Sequence, residues 1–220
     1  MGQLVGDRIE CGYHGLQFDA AGVCMAAPTQ SRIPPNAVVH SYPSIERWGF
    51  IWVWMGDIDR VDESRLPNIP NYSNPDWGKT DGGALEVKCN YLWLTDNLLD
   101  PSHVAWVHKT TFAAPGADGT KLELSGFDDG TIVSRWIMNQ PVPPYYASFV
   151  KFEGKCDRLQ HYEVRLPSYC INRSVFTPAG TGGHEHSEGA DNAYVMISYN
   201  FMTPVDEDNT VYYWFQHYNT

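Results

Sequence analysis

Two short stretches carry residue types that bind metals. Cys11-Gly-Tyr-His14-Gly15 presents a thiolate and an imidazole separated by two residues, flanked by glycines that let the backbone approach a bulky group. Taken alone, the pattern also describes a buried cysteine beside an unrelated histidine. Downstream, Asn97-Leu-Leu-Asp100-Pro-Ser-His103-Val-Ala-Trp-Val-His108 gathers two imidazoles and a carboxylate. Two neutral imidazoles plus a carboxylate, with coordination positions left open, suit a non-haem Fe(II) that activates oxygen. Plain polar surface is the alternative for this stretch.

The elements around these residues must bring them together. Asp100 and His103 have the spacing of one helix face. His108 lies five residues past His103, off that face, so the helix has to bend or end before both imidazoles can meet one ion. Residues 92–108 have helical character: Leu94, Leu98 and Leu99 recur at helical spacing, Thr95 or Asp96 is a candidate N-cap, and Pro101 should kink or restart the helix. Elsewhere short strands and turns dominate. Phe50-Ile-Trp-Val-Trp-Met55 reads as a buried strand, and residues 84–89, 132–138, 194–201 and 211–215 as further strands. Asp19-Ala-Ala-Gly22 and Asp206-Glu-Asp208 read as turns, and residues 181–189 as a polar loop. Residues 59–83, rich in Asp, Asn, Pro and Gly, read as a linker.

Cys11-Gly-Tyr-His-Gly-Leu-Gln-Phe-Asp19 resembles the second half of a Rieske [2Fe–2S] motif, in which histidine ligands raise the cluster's reduction potential. Followed by the Asp100, His103, His108 constellation, it resembles the oxygenase subunit of Rieske non-haem iron oxygenases. Residues 36–57, the stretch Lys88-Cys-Asn-Tyr-Leu-Trp-Leu-Thr-Asp-Asn-Leu-Leu-Asp100 and Pro143-Pro-Tyr-Tyr-Ala147 are similar to the group of vanillate O-demethylase, dicamba monooxygenase and toluenesulfonate methyl monooxygenase.

The resemblance implies an α+β fold: a partial all-β Rieske domain (residues 1–58), the linker (59–83), and an incomplete helix-grip-like catalytic domain with an antiparallel sheet (84–220). It implies that Cys11 and His14 ligate a [2Fe–2S] cluster and that His103 and His108 ligate a mononuclear Fe(II). Asp100 would bridge towards a neighbouring subunit's cluster, with Asn97 tuning that path. The implied activity is O2-dependent hydroxylation or O-demethylation of an aromatic compound. Electrons would come from NADH through a flavin and iron–sulfur reductase, and the protein would be a homotrimer. The alternatives are a ring cis-dihydroxylating dioxygenase and an inactive fragment lacking complete metal sites.

The last alternative arises because no Cys-x-His pair occurs in the chain, so Cys11 and His14 are the cluster ligands it offers. The family's third iron ligand, a carboxylate, should follow the stretch that ends at Thr220. Asp191, Asp206 and Asp208 are weaker candidates within the chain. The expectation is therefore of a sequence cut at both ends.

Composition narrows the partners. A net charge of −11 disfavours nucleic acid and anionic membranes, and no apolar run approaches membrane-spanning length. The five cysteines, odd in number and scattered, suggest a reducing cytoplasm instead of a disulfide framework. Cys24, Cys89, Cys156 and Cys170 are expected as small core residues, and Trp52, Trp54, Trp93 and Trp106 as core. His40, His161 and His217 read as packed or surface residues. His184 and His186 read as part of the polar loop.

Overall fold

Glycine and aspartate turns cut the first part of the chain into strands too short to enclose much. The computed structural model describes residues 2–186 and 192–219, without the side chains of His184 and His186. Asp191 and residues 187–189 of the expected loop at 181–189 fall outside what is described, and within that stretch Gly183–His186 form one helical turn where a loop was expected. The chain divides into two units, Met1–Ile69 and Pro70–Thr220.

In the first unit, β1 (Gly2–Val5), β2 (Arg8–Cys11), β3 (Gln17–Phe18) and β4 (Cys24–Ala26) form an antiparallel sheet in that order. The Asp19 turn forms as expected: its Oδ1 accepts from the amides of Ala21 and Val23 at 3.0 and 2.9 Å. β5 (Ser44–Arg47) and β6 (Phe50–Val53) make a separate hairpin. Its two-residue turn holds Trp48 at φ 56° and Gly49 at φ 75°, the left-handed pair whose twist suits a tight hairpin. The expectation of a buried strand here is corrected. Only alternate residues are half-buried, and Ile51 is 76% exposed, because a two-stranded ribbon covers at most one face.

The second unit is built on an eight-stranded antiparallel sheet. Its strands are β7 (Trp77–Lys79), β8 (Gly83–Val87), β9 (Glu123–Phe127), β10 (Gly130–Pro141), β11 (Lys155–Arg165), β12 (Tyr169–Pro178), β13 (Tyr194–Pro204) and β14 (Thr210–Asn219). They run β7-β14-β13-β12-β11-β10-β9, with β8 also pairing β14. Strand β7 lies within the stretch read as linker and edges this sheet. The turn at Asp206 joins β13 to β14, as expected, and Asp206 accepts from the Asp208 amide and the Asn209 side chain.

Helix α1 (Tyr91–Leu99) packs across the middle strands. Tyr91, Leu94, Leu98 and Leu99 meet Val164, Cys170 and Met202 of the sheet, the i, i+3, i+7 stripe of a helix with one buried face. Its N-cap is Asn90, not Thr95 or Asp96: the Asn90 side chain accepts from the Leu92 amide at 3.0 Å and donates to the Glu207 carbonyl at 2.9 Å. Thr95 sits a turn inside, bonded back to the Tyr91 carbonyl. Trp93 and Trp106, expected in the core, are 71% and 72% exposed, since both fall on the outer side of their helical turns. Cys24, Cys156 and Cys170 are buried and Cys89 is half-buried, all as free thiols. Among the described residues no helix is long and apolar enough to cross a membrane.

Candidate active site

Strand register explains where the cavity lies. Along β11 the residues on one face are Cys156, Arg158, Gln160, Tyr162 and Val164; along β12 they are Cys170, Asn172, Ser174 and Phe176. Met196, Ser198, Asn200 and Met202 continue the face on β13. Each strand therefore carries apolar residues at its ends and polar ones between. One apolar end packs against α1. The other joins Tyr146, Tyr194 and the segment around Val142, Val150 and Phe152. The polar strip between them floors a cavity of about 450 Å3, a size suited to a small organic ligand.

His103 and His108 face this cavity because α1 stops short of them. Pro101 disfavours helical backbone at the preceding residue, and Asp100 leaves the helix at φ −90°, ψ 104°. A single-turn helix α2 (Val104–Val107) follows, with His103 at its N-cap and His108 at its C-cap. The five-residue spacing, unsuited to one helix face, is resolved by placing each histidine at a helix end. The imidazole centroids are 5.4 Å apart, inclined at 63°. The His108 carbonyl accepts the amides of Thr111, Phe112 and Ala113, which fixes the following turn.

Asp100 and His103 do come together, through a turn instead of a shared helix face. The Ser102 amide donates to Asp100 Oδ1 at 2.7 Å, and Oδ2 lies 3.8 Å from His103 Nδ1. Partial burial works against the Asp100 carboxylate, but the hydrogen bonds from Ser102 and the neighbouring His103 hold its pKa below the ordinary value. Burial, then the charge of His103, lowers that of His108 and favours the neutral imidazole a metal needs. His103 Nδ1 is buried with no hydrogen-bond partner at normal distance. A carboxylate on that side favours the proton on Nδ1 and keeps the Nε2 lone pair for a metal.

These residues fit two ligands of a mononuclear iron and an orienting carboxylate. Among the described residues, no group of three or more His, Cys, Asp or Glu side chains converges on one point. Asp206 and Asp208 stand in the turn beside Asn90, at the opposite end of α1 from Asp100. Asn97 lines the cavity.

A hydrogen-bond network not anticipated from the sequence seats this turn. Tyr212 Oη donates to Asn200 Oδ1 at 2.7 Å, Asn200 Nδ2 to Asn172 Oδ1 at 2.9 Å, and Asn172 Nδ2 to the Leu98 carbonyl at 2.8 Å. The last bond satisfies a carbonyl in the final turn of α1, one residue before the chain breaks towards His103. Arg158, Tyr162 and Gln216 also line the cavity and were missed. The available signal was the repeated apolar–polar–polar–apolar alternation at every second residue of three strands.

In the first unit, Cys11 and His14 are both exposed on a tight turn. The Gly15 amide donates to the Cys11 carbonyl at 2.9 Å, and Gly15 needs its φ of 69° for that closure. Backbone amides of Tyr13 and His14 are directed at the Cys11 thiol and lower its pKa. A thiolate held by amides beside an accessible imidazole fits one Cys–His pair of a Rieske cluster. His40 is exposed, His161 is bonded to Glu163, and His217 is packed among Tyr72, Tyr199 and Phe215, the packed or surface positions expected of them.

Comparison with known proteins points the same way. Residues 87–220 match the vanillate O-demethylase oxygenase C-terminal domain, and residues 1–43 the Rieske [2Fe–2S] domain. The chain is similar to the toluene-4-sulfonate monooxygenase system iron-sulfur subunit of Comamonas testosteroni, at 34% identity over 98% of this chain and 62% of the relative. It is similar to the vanillate O-demethylase oxygenase subunit of Pseudomonas sp. (strain HR199 / DSM 7063), at 29% identity over 94% of this chain and 59% of the relative. The crystal structure of dicamba monooxygenase bound to 3,6-dichlorosalicylic acid superimposes with a TM-score of 0.86 at 26% identity, over 99% of this chain and 62% of that one. The chain thus spans about 60% of the length of these relatives.

Proposed function

The chain belongs to the vanillate O-demethylase oxygenase family of Rieske non-haem iron oxygenases, and from that premise we propose that it is the oxygenase component of a multicomponent system. Its reaction is O2-dependent hydroxylation or O-demethylation of an aromatic compound. The observation that carries this reading is the meeting of His103 and His108 at one cavity, with Asp100 on the Nδ1 side of His103.

An Fe(II) bound by His103 and His108 would supply O2 activation at its open positions. The chain's own residues do the rest. Asp100, pinned by Ser102, orients the His103 ring. Phe112, Tyr146 and Met196 give an aromatic substrate an apolar wall, and the Phe112 ring stands 5.3 Å from that of His108. The Tyr212–Asn200–Asn172 relay holds the end of α1 and with it the turn that bears both histidines. In the first unit, Cys11 and His14 would hold a [2Fe–2S] cluster. A flavin and iron–sulfur reductase fed by NADH, and a homotrimeric assembly, complete the proposal. The free cysteines are in keeping with a reducing cytoplasm.

Relatives named for O-demethylation and monooxygenation favour hydroxylation of a methyl or methoxy carbon over ring cis-dihydroxylation. The test couples the protein to a reductase and NADH with a panel of methoxylated and methylated arenes. Substrate-dependent NADH consumption with formaldehyde or benzylic alcohol as product, abolished by His103→Ala, is expected. A diol product, or activity unchanged in His103→Ala, would overturn the reading.

A further inference from the structure

Gln160 is fully buried, and the groups on its two sides settle which way its amide points. Arg135, 4% exposed and opposite Gln160 in the register of β10 and β11, brings its Nε within 2.7 Å of one end of that amide. A guanidinium only donates, so the atom it meets is Oε1. Nε2 is then turned the other way and meets Tyr162 Oη at 3.3 Å. An amide NH2 also only donates, so the phenol oxygen has to accept. A second bond, from Arg135 Nη1 to the Thr120 carbonyl at 3.3 Å, holds the guanidinium in place. Burying a cation among neutral hydrogen-bond partners is costly; here the cation permits one amide orientation only.

Tyr162 lines the cavity, whereas Gln160 and Arg135 do not. Its oxygen accepts from Gln160 and has no other hydrogen-bond partner among the described residues. The phenolic hydrogen is therefore left for the cavity. Burial pushes the phenol up to about 12, against the charges of Arg158 and Arg135, so that hydrogen stays in place at neutral pH. Tyr162 stands opposite Asn172 on β12, and Asn172 holds the Leu98 carbonyl at the end of α1. The donor thus belongs to the part of the polar strip that carries the end of α1.

We infer that Tyr162 donates the hydrogen bond that orients an aromatic ligand in the cavity, and that Arg135, acting through Gln160, fixes the direction of that bond. The ligand must then turn an accepting oxygen towards Tyr162, and a group that only donates is disfavoured there. Tyr162 is the specificity-determining residue. Arg135 and Gln160 touch no ligand and are positioning residues. An amide free of Arg135 can turn over and take the Tyr162 hydrogen on its own oxygen, and the cavity then loses its donor. The inference rests on the aromatic oxygenase reading above, and adds which edge of the ligand faces the strip. No covalent bond changes at any of the three residues.

The test is infrared difference spectroscopy of acetophenone bound to the protein. α-Methylstyrene, in which a methylene replaces the carbonyl oxygen, is the reference for affinity. The bound carbonyl stretch should lie below its value in hexane. Tyr162→Phe should move it back up and weaken acetophenone relative to α-methylstyrene by about 2- to 10-fold, the range of a neutral hydrogen bond. Gln160→Glu should do the same with Tyr162 still present, because its carboxylate meets Arg135 with one oxygen and takes the Tyr162 hydrogen with the other. A merely structural role for Gln160 would leave the stretch unmoved in Gln160→Glu, and that result would overturn the inference. So would a shift intact in Tyr162→Phe. An absent bound band, or one at the hexane value, in the unaltered protein would overturn it without any variant having to fold. Binding is read without turnover. A protein that shows the shift but oxidises no arene loses the oxygenase reading alone; one that oxidises arenes without the shift loses this inference alone.

Discussion

Replacing Asn200 by leucine should damage the site from beneath without touching a metal ligand. Asn200 is 3% exposed and sits at the middle of the relay that ends on the last turn of α1. Leucine has similar bulk and no polar atoms. It strips the Tyr212 hydroxyl of its acceptor in surroundings where burial already pushes that phenol up to about 12. It also leaves Asn172 Oδ1 and the Cys170 carbonyl without the Asn200 donor. One buried hydroxyl without its acceptor and one amide oxygen without its donor, at about 1–3 kcal/mol each, give a loss of about 2–6 kcal/mol. Urea denaturation followed by tryptophan fluorescence measures it. Tyr212→Phe closes a double-mutant cycle, and the two changes should fall short of additivity by at least about 1 kcal/mol because they break the same bond. Asn172 is then free to release the Leu98 carbonyl, so iron affinity should drop as well. Additive effects, or a loss below about 0.5 kcal/mol for Asn200→Leu, would refute the relay as the support of the histidine turn.

Three further outcomes follow from the same geometry. Burial, with Lys79 alongside, pushes the His217 imidazole down to about 4, whereas an unfolded histidine titrates at about 6.5. The unfolded chain therefore takes up more protons between those values, stability falls as pH drops through that window, and His217→Phe should flatten the fall in urea midpoints measured from pH 7 to pH 4. Asp100→Asn should weaken Fe(II) binding about 10- to 100-fold by equilibrium dialysis, because a carboxylate beside a ligating imidazole orients it and raises its basicity; an unchanged affinity would remove Asp100 from that role. Trp93→Gln and Trp106→Gln should each shift stability by less than about 0.5 kcal/mol, as expected of side chains more than 70% exposed.

What was legible in the sequence was local. Pro101 announced the break that separates Asp100 from α1, and the awkward spacing of His103 and His108 announced that a helix end lay between them. Long strands such as β10, β13 and β14 showed in runs of β-branched and aromatic residues, and Asp206 with Asn209 showed their turn. What was hidden depends on register. Arg158, Asn172 and Asn200 lie far apart in sequence and meet only because β11, β12 and β13 pair in one alignment, and a slip of a single residue would turn each of them to the other face. The N-cap was misplaced because Thr95 and Asp96 have the right chemistry and only the start of α1 at Tyr91 selects Asn90. Trp93 and Trp106 misled because aromatic residues at helical positions usually point inward, and here the inward stripe belongs to Tyr91, Leu94 and Leu98.

If His103 and His108 hold one iron between them, ferrous iron binding depends on both side chains. Anaerobic equilibrium dialysis of the protein and of His103→Ala, His108→Ala and His161→Ala counts Fe(II) bound beyond any cluster iron. One such Fe(II) per chain is expected, retained in His161→Ala and weakened at least tenfold in each of the other two. Retention at full affinity in both His103→Ala and His108→Ala would contradict it.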